Sequence, residues 1–268
     1  MTEKHILILS DIHCGHNNAP AHPYSEIIME NKRLVLNKTQ KQLWASWKEM
    51  VKLYAEPDIL VINGEPIQGG DAPLENWTSN IIDQVEGAKL LIDMLKPKKI
   101  YLVRGSKWHV TLGRNQQMNA EEYFGKIINA EKVDGRRAPI NRWLNVDGVI
   151  LNFAHRIGVT RVPHYRSTAI TREMFVAYVN QHHLHKACAI IRSHVHYFWH
   201  IESESHHGFI TPPWQLRSEF SEEFMGNGGV ASLGAIRPRI IDGNFRWDDY
   251  TDKFLVPIEG LRPTLEKA

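Results

Sequence analysis

The chain opens on a short apolar run, Ile6-Leu7-Ile8-Leu9, that gives way to Ser10-Asp11. Apolar residues in unbroken succession followed by polar ones predict a buried strand over residues 5–10 that empties into a loop. The same pattern recurs from Asp58 to Asn63 and from Lys99 to Arg104. Between these runs the period changes. Leu43, Trp44, Trp47, Met50, Val51 and Tyr54 follow three- and four-residue spacing and predict a helix from Asn37 to about Ala55. Ile81, Ile82, Val85, Ala88, Leu91, Ile92 and Leu95 predict a second helix, stopped by Pro97. Strand, helix, strand, helix, strand in that order predicts a parallel sheet with helices on its faces. Residues 17–36 show no period and read as a long loop.

The second half carries more hairpin character. A helix is expected around residues 120–129. Arg142–Val146 and Val149–Phe153 read as a hairpin across Asp147-Gly148, a favoured turn pair. Thr168–His185 reads as a further helix. Ala187–Arg192 and Tyr197–Glu202 read as strands, with further short strands from Phe209 onward. No linker, charge block or internal repeat divides the chain, so residues 1–268 are read as a single domain.

Composition changes this picture in one respect. Hydrophobic content of 43% and charged content of 23% are ordinary for a globular protein. A net charge of +2 supplies no basic field for tracking a nucleic-acid backbone. The outlier is histidine, 15 residues in 268, which points to metal or acid–base chemistry. Cys14 and Cys188 match no metal-ligand spacing and form no disulfide framework, which suggests a reducing compartment. The four-residue apolar run at the start is too short for a signal-peptide core, and no run approaches a membrane span. The expectation is a cytoplasmic protein with no membrane partner, able to exist as an oligomer.

The candidate chemistry collects at the ends of the predicted strands. Asp11-x-His13 follows the first, and residues two apart at a strand end point to the same side. Asn63-Gly64-Glu65 follows the second, and Arg104-Gly105-Ser106-Lys107-Trp108-His109 the third. Ala154-His155-Arg156 closes the hairpin, and Ser193-His194-Val195-His196 ends a late strand. Ligands in open α/β sheets bind outside the carboxyl ends of the strands. Five such ends bearing Asp, Glu, Ser or His point to one shared site for divalent cations.

In the order and spacing of these blocks the chain resembles the calcineurin-like metallophosphoesterases, whose motifs run Asp-x-His, Gly-Asp, Gly-Asn-His, a lone His and Gly-His-x-His. The counterparts are Asp11-x-His13, Gly64-Glu65, Gly105-Ser106, His155 and Ser193-His194-x-His196, and they cover about residues 5–200. Ser10 to Gly15, Gln42-Leu43-Trp44 through Trp47, and Thr211 to Leu216 resemble a bacteriophage or prophage branch, in which case the site of action would be the host cytoplasm. The resemblance implies an α/β fold of two mixed β-sheets packed as a sandwich and flanked by helices, four layers in all. It implies a metal-dependent phosphoesterase in which a metal-bound hydroxide attacks phosphorus. The substrate expected is a phosphorylated small molecule or nucleic acid, and within that range a phosphodiester or nucleotide. Two divalent cations are implied, manganese first, with zinc, iron, nickel or magnesium as alternatives. Asp11, His13 and His196 would hold the first metal, His155 and His194 the second, and Glu65 would stand in the bridging position.

Three positions depart from the family pattern. Glu65 replaces an Asp, which moves the carboxylate outward by roughly 1.5 Å. Ser106 replaces an Asn ligand with a poorer hydroxyl donor. Lys107 occupies the place of the usual His, and His109 lies two residues later. His109 is therefore the candidate general acid or phosphate-contacting residue, against a plain structural role. Arg156 is the candidate phosphate-gripping residue, against a solvent-exposed charge. The altered Glu65 and Ser106 also support a second reading, a degenerate member that acts as a binding or scaffolding module with at most one metal. Arg161, His164, Tyr165 and Arg166 form a basic, partly aromatic loop that reads first as an ordinary solvated loop, and Trp108 is a candidate for stacking on a base. His182, His183 and His185 read as a structural helix end, and His206-His207 as a surface turn. His16 and His22 have no direction fixed by sequence.

Overall fold

A computed structural model describes residues 2–70, 75–110, 119–160, 162–204, 206–216 and 232–256. Its strands are β1 (Glu3–Leu9), β2 (Glu26–Ile27), β3 (Lys32–Arg33), β4 (Ile59–Asn63), β5 (Lys99–Val103), β6 (Asn141–Val146), β7 (Val149–Ala154), β8 (Ala189–Arg192), β9 (Trp199–Ser203), β10 (His206–Ile210), β11 (Gly234–Ile236), β12 (Arg239–Ile241), β13 (Asn244–Arg246) and β14 (Lys253–Leu255). Its α-helices are α1 (Lys38–Tyr54), α2 (Ile81–Asp93), α3 (Lys107–Val110), α4 (Ala120–Ile127) and α5 (Arg166–Val179).

The first three apolar runs are neighbouring parallel strands, β1 beside β4 beside β5. Both faces of β4 are buried, which is why its sequence shows no alternation. The sheet is mixed, because the other edge of β1 is covered by antiparallel chain from the far end of the sequence. Glu3 pairs with Ile241 and Ile8 with Ile236, one continuous register interrupted only at Arg237-Pro238. Pro238 has no N–H to give to the ladder, yet its carbonyl still accepts from the Ile6 amide at 3.1 Å. With β13 and β14 outside, this sheet has seven strands. The second sheet, in the order β6-β7-β8-β10-β9, has five and is also mixed.

The fold is therefore two mixed sheets with helices outside them, in four layers. Ile6, Ile8, Val61, Val103 and Ile236 from one sheet meet Leu144, Leu151, Phe153, Ile191 and Phe209 from the other. The opposite face of the first sheet, through Leu7, Leu9, Leu60 and Ile62, packs on Trp47 of α1, Leu91 of α2 and Phe124 of α4. The opposite face of the second packs on Ile170 of α5.

Helix starts are sharply marked. Asn37 and Gln40 form a reciprocal capping box at α1, and the Asn80 and Asn119 side chains accept amides at α2 and α4. Two expectations need correction. Helix α5 ends at Val179, not His185, because Asn180 turns its side chain back onto the Val176 carbonyl at 2.9 Å. His182, His183 and His185 therefore lie beyond the helix. His206-His207 opens strand β10 instead of forming a surface turn. The segment read as a loop contains the short ribbon of β2 and β3, turning through Asn31 in the left-handed region. No helix among the described residues is long and apolar enough to cross a membrane.

Candidate metal centre

The sequence-predicted residues converge at the carboxyl ends of β1, β4, β5, β7 and β8. Asp11, His13, Glu65, Ser106 and His155 are buried, while His109, His194 and His196 are partly exposed and form the mouth. The Glu65 carboxylate lies between two imidazoles. Its Oε2 is 3.1 Å from His13 Nε2 and its Oε1 is 3.1 Å from His155 Nε2. Asp11 Oδ1 lies 3.3 Å from His196 Nε2, 3.9 Å from His155 Nε2 and 4.0 Å from His13 Nε2.

These donors fall into two groups that share one member. Asp11, His13, Glu65 and His196 can converge on one point, and Glu65, His155 and His194 on another. Several of the atoms facing inward have no hydrogen-bond partner: Asp11 Oδ1, both His13 ring nitrogens, His155 Nε2 and Ser106 Oγ. Buried polar atoms are almost always satisfied, so this many orphans at one place need an explanation. The His155–Glu65 ion pair at 3.1 Å accounts for His155 Nε2 only while that ring is protonated, and it leaves the Ser106 hydroxyl without a partner. Carboxylates and neutral imidazoles with free lone pairs suit divalent cations, and the residues present fit such a group.

The backbone holds this arrangement at some cost. Asp11, His13, Glu65, His194 and His196 all have φ between +47° and +76°. Left-handed backbone is rare for such residues and concentrates at sites whose geometry is imposed by the surroundings. The surroundings are visible. The Asp11 carbonyl accepts from the Trp214 and Gln215 amides at 3.0 and 3.1 Å, so the Thr211–Leu216 segment clamps the first block. His155 Nδ1 donates to the Asn63 carbonyl at 2.8 Å, which fixes the tautomer and turns Nε2 toward the site. His109 Nδ1 is likewise engaged by the Gln68 carbonyl, and its ring stands edge-on to His13 at 4.7 Å. Gly64 has φ +88°, and a Cβ there would lie 2.3 Å from His155 Nδ1. The Ser106 amide donates to Glu65 Oε1 at 3.0 Å.

Electrostatics follow from burial set against pairing. Burial alone would raise Glu65, but His155, His109 and His13 override it and hold the carboxyl well below the usual range. Asp11 is held down in the same way by His155 and His196. Burial alone would lower His155, yet Glu65 and Asp11 push it up to about 10. His196 is raised by Asp11 against the same opposing burial. His13 is pushed down to about 4 and His194 is also lowered, both chiefly by burial. Without a cation, a proton on His155 thus faces the two carboxylates.

Sequence reasoning missed Glu121. It enters from the first turn of α4 and is buried. Its Oε1 accepts the Glu65 amide at 3.0 Å, and its Oε2 accepts the Gly105 amide at 2.8 Å. Burial raises it to about 7, against the pull of those two amides. The only signal was the Asn119 helix cap two residues earlier, which places Glu121 but says nothing of its direction. Arg156, just after His155, and Lys107, the first residue of α3, are exposed. His16 is taken up elsewhere: its Nε2 donates to Glu75 at 3.1 Å while Nδ1 accepts the Asn18 amide. His22 packs its ring against Trp44. The Trp108 side chain and Arg161 lie outside the described residues.

No family model matches the chain, and no curated protein matches it either. Solved structures do. A predicted phosphoesterase from Streptococcus pneumoniae shares 11% identity over 91% of this chain and 87% of that one, with a TM-score of 0.40. Vps29 of Chaetomium thermophilum shares 10% over 94% and 93%, with a TM-score of 0.45. Zinc-complexed Vps29 of Entamoeba histolytica shares 10% over 94% and 99%, with a TM-score of 0.41. At these scores the likenesses carry no argument, and the site rests on its own geometry.

Proposed function

We propose that this protein is a metal-dependent phosphoesterase. The observation that carries the reading is the shared carboxylate: Glu65 belongs to both groups of convergent donors, with unpaired buried atoms on either side of it. Asp11, His13 and His196 would hold one cation and His155 and His194 a second, with Glu65 available to either and the Ser106 hydroxyl beside the second group. Cations so placed would acidify water and neutralise charge on a phosphoryl group. Manganese is proposed first on the family resemblance; the mixed imidazole and carboxylate donors equally suit zinc, iron or nickel.

The chain's own residues supply the rest. The Asn63 carbonyl holds His155 in one tautomer, and Glu121 holds the two loops that present Glu65 and Ser106. His109 stands at the mouth with Nδ1 engaged, leaving Nε2 to carry a proton to a leaving oxygen, a role typically worth ~10²–10⁴ in rate. Arg156 follows His155 into solvent and meets the outer phosphate oxygens. A phosphodiester or nucleotide is the proposed substrate class. Its support is the motif order shared with phosphoesterases, here with a phage-type variation.

The test is purified full-length protein supplied with Mn, Ni, Zn or Mg and assayed on bis-p-nitrophenyl phosphate and p-nitrophenyl phosphate. Turnover that is lost in Asp11→Ala, with the diester preferred, is the expected result. Metal uptake without turnover on either substrate would overturn the enzyme reading and leave a binding module.

A further inference from the structure

A second set of metal-type donors lies away from this centre, on the edge hairpin of the second sheet. Strands β9 and β10 pair antiparallel, with Glu202 opposite His207 and His200 opposite Phe209. Residues two apart on a strand share a face, so His200, Glu202 and His207 all lie on one side of the hairpin. That is the side of Phe209, which faces the first sheet. Ligand atoms of the three lie within 4.8 Å of one another.

The two imidazoles are held, not free. The His200 ring stacks on Phe209 at 4.5 Å between centroids and leans on Trp247 at 5.4 Å. The His207 ring lies 4.7 Å from Phe245. His200 Nε2 and His207 Nδ1 form a 3.2 Å hydrogen bond, one ring donating to the other, and a cation bound to both would take the place of the shared proton. Two nitrogens bound to one tetrahedral zinc at ~2.0–2.1 Å are separated by roughly 3.3 Å, so the rings already sit at coordination spacing. Burial lowers both histidines below their ordinary value, which leaves neutral rings at neutral pH. The Glu202 carboxylate is exposed and supplies the negative charge. Position separates this cluster from the first: Thr211, bonded to Ser193 beside the main site, follows β10, whereas His207 sits about 13 Å back toward the other end of that strand.

We propose that His200, Glu202 and His207 form a second, separate site for a divalent transition cation, zinc by donor type, that clips β9 to β10. Two imidazoles and one carboxylate favour zinc, nickel or copper over magnesium or calcium. The fourth position is open to water.

The test uses the full-length chain stripped with chelator and titrated with Zn²⁺ and with Co²⁺, whose visible absorption reports tetrahedral binding. An Asp11→Asn/His13→Gln/Glu65→Gln/His155→Gln variant, which removes donors from both halves of the main centre, is expected to retain about one tight zinc equivalent and to gain thermal stability on binding it. Adding His200→Gln and His207→Gln is expected to abolish both. Because the double substitution disturbs an aromatic wall, Glu202→Gln serves as the mild variant. It is expected to weaken zinc by about ten-fold or more while melting like the parent in chelator. Unchanged stoichiometry and affinity in either the His200/His207 or the Glu202 variant would overturn the site. So would a parent that binds no zinc once the main centre is altered.

Discussion

At the scale of single residues, the centre depends on groups whose charges are set by one another. Glu65→Gln keeps the size and removes the charge that raises His155. In metal-free protein the His155 titration, followed by NMR, should drop from about 10 by at least ~1 unit, because Asp11 alone remains to hold the proton. A His155 titration that does not move would show that Glu65 is not its partner. Gly64 makes a different demand. Its φ of +88° and the 2.3 Å approach of His155 Nδ1 to a would-be Cβ leave no room for alanine. Gly64→Ala should cost about 2 kcal/mol or more in a urea melt and weaken metal binding together with it. What sequence could say here was residue type and order: Asp11, His13, Glu65, Ser106, His155, His194 and His196 could be named because each follows an apolar run. The left-handed backbone at five of them, and the tautomer lock from the Asn63 carbonyl, could not be named. Both are set by segments far away in sequence.

At the scale of elements, the helices that announce themselves do so through caps and stripes, while their contribution to the site does not show. Helix α1 begins where the Asn37–Gln40 box places it, and Asn37→Ala should cost about 1 kcal/mol in thermal or chemical unfolding without altering metal binding. Helix α4 braces the site. Glu121 in its first turn satisfies the buried amide of Glu65 and the half-buried amide of Gly105 together. Glu121→Ala strands both donors and should cost about 2–4 kcal/mol; Glu121→Gln, whose remaining oxygen in the Oε1 position can still accept from both amides, should cost at most about half as much. A urea melt of both variants decides it: equal loss in the two would mean that Glu121 acts by packing alone. The strands tell a parallel story. The apolar runs of β1, β4 and β5 were legible because both faces are buried. The His200–His207 neighbourhood was legible only in part: Tyr197–Glu202 reads as a strand, but His206-His207 reads as a turn, and the pairing with Phe245 of β13 and Trp247 just after it joins segments far apart in sequence.

At the scale of the molecule, the two sheets bring chain ends more than two hundred residues apart onto one edge of β1, and the site inherits the consequence. Asp11 is fixed by amides from Trp214 and Gln215, so the first and late parts of the chain must both be in place before the donors converge. Convergence without a cation stabilises protons instead. His155, raised to about 10 against an ordinary value of about 6.5, contributes stability that is fully present below pH ~6.5 and is lost as pH rises through 10. Asp11 and Glu65, both lowered, contribute stability that is present above their ordinary range and is lost as pH falls. Metal-free protein should therefore lose stability toward both acid and alkali, and a cation must displace the His155 proton before that nitrogen can serve as a ligand. Between pH ~6.5 and 10, metal affinity should rise with pH, and uptake should release roughly one or more protons per chain. Calorimetric titration with Mn²⁺ at pH 7.5, in two buffers of different ionisation heat, measures that release directly. Glu65→Gln should reduce both the release and the affinity. Binding as tight as expected but with no buffer dependence would mean that the cation does not use His155, and the shared-carboxylate arrangement would fall with it.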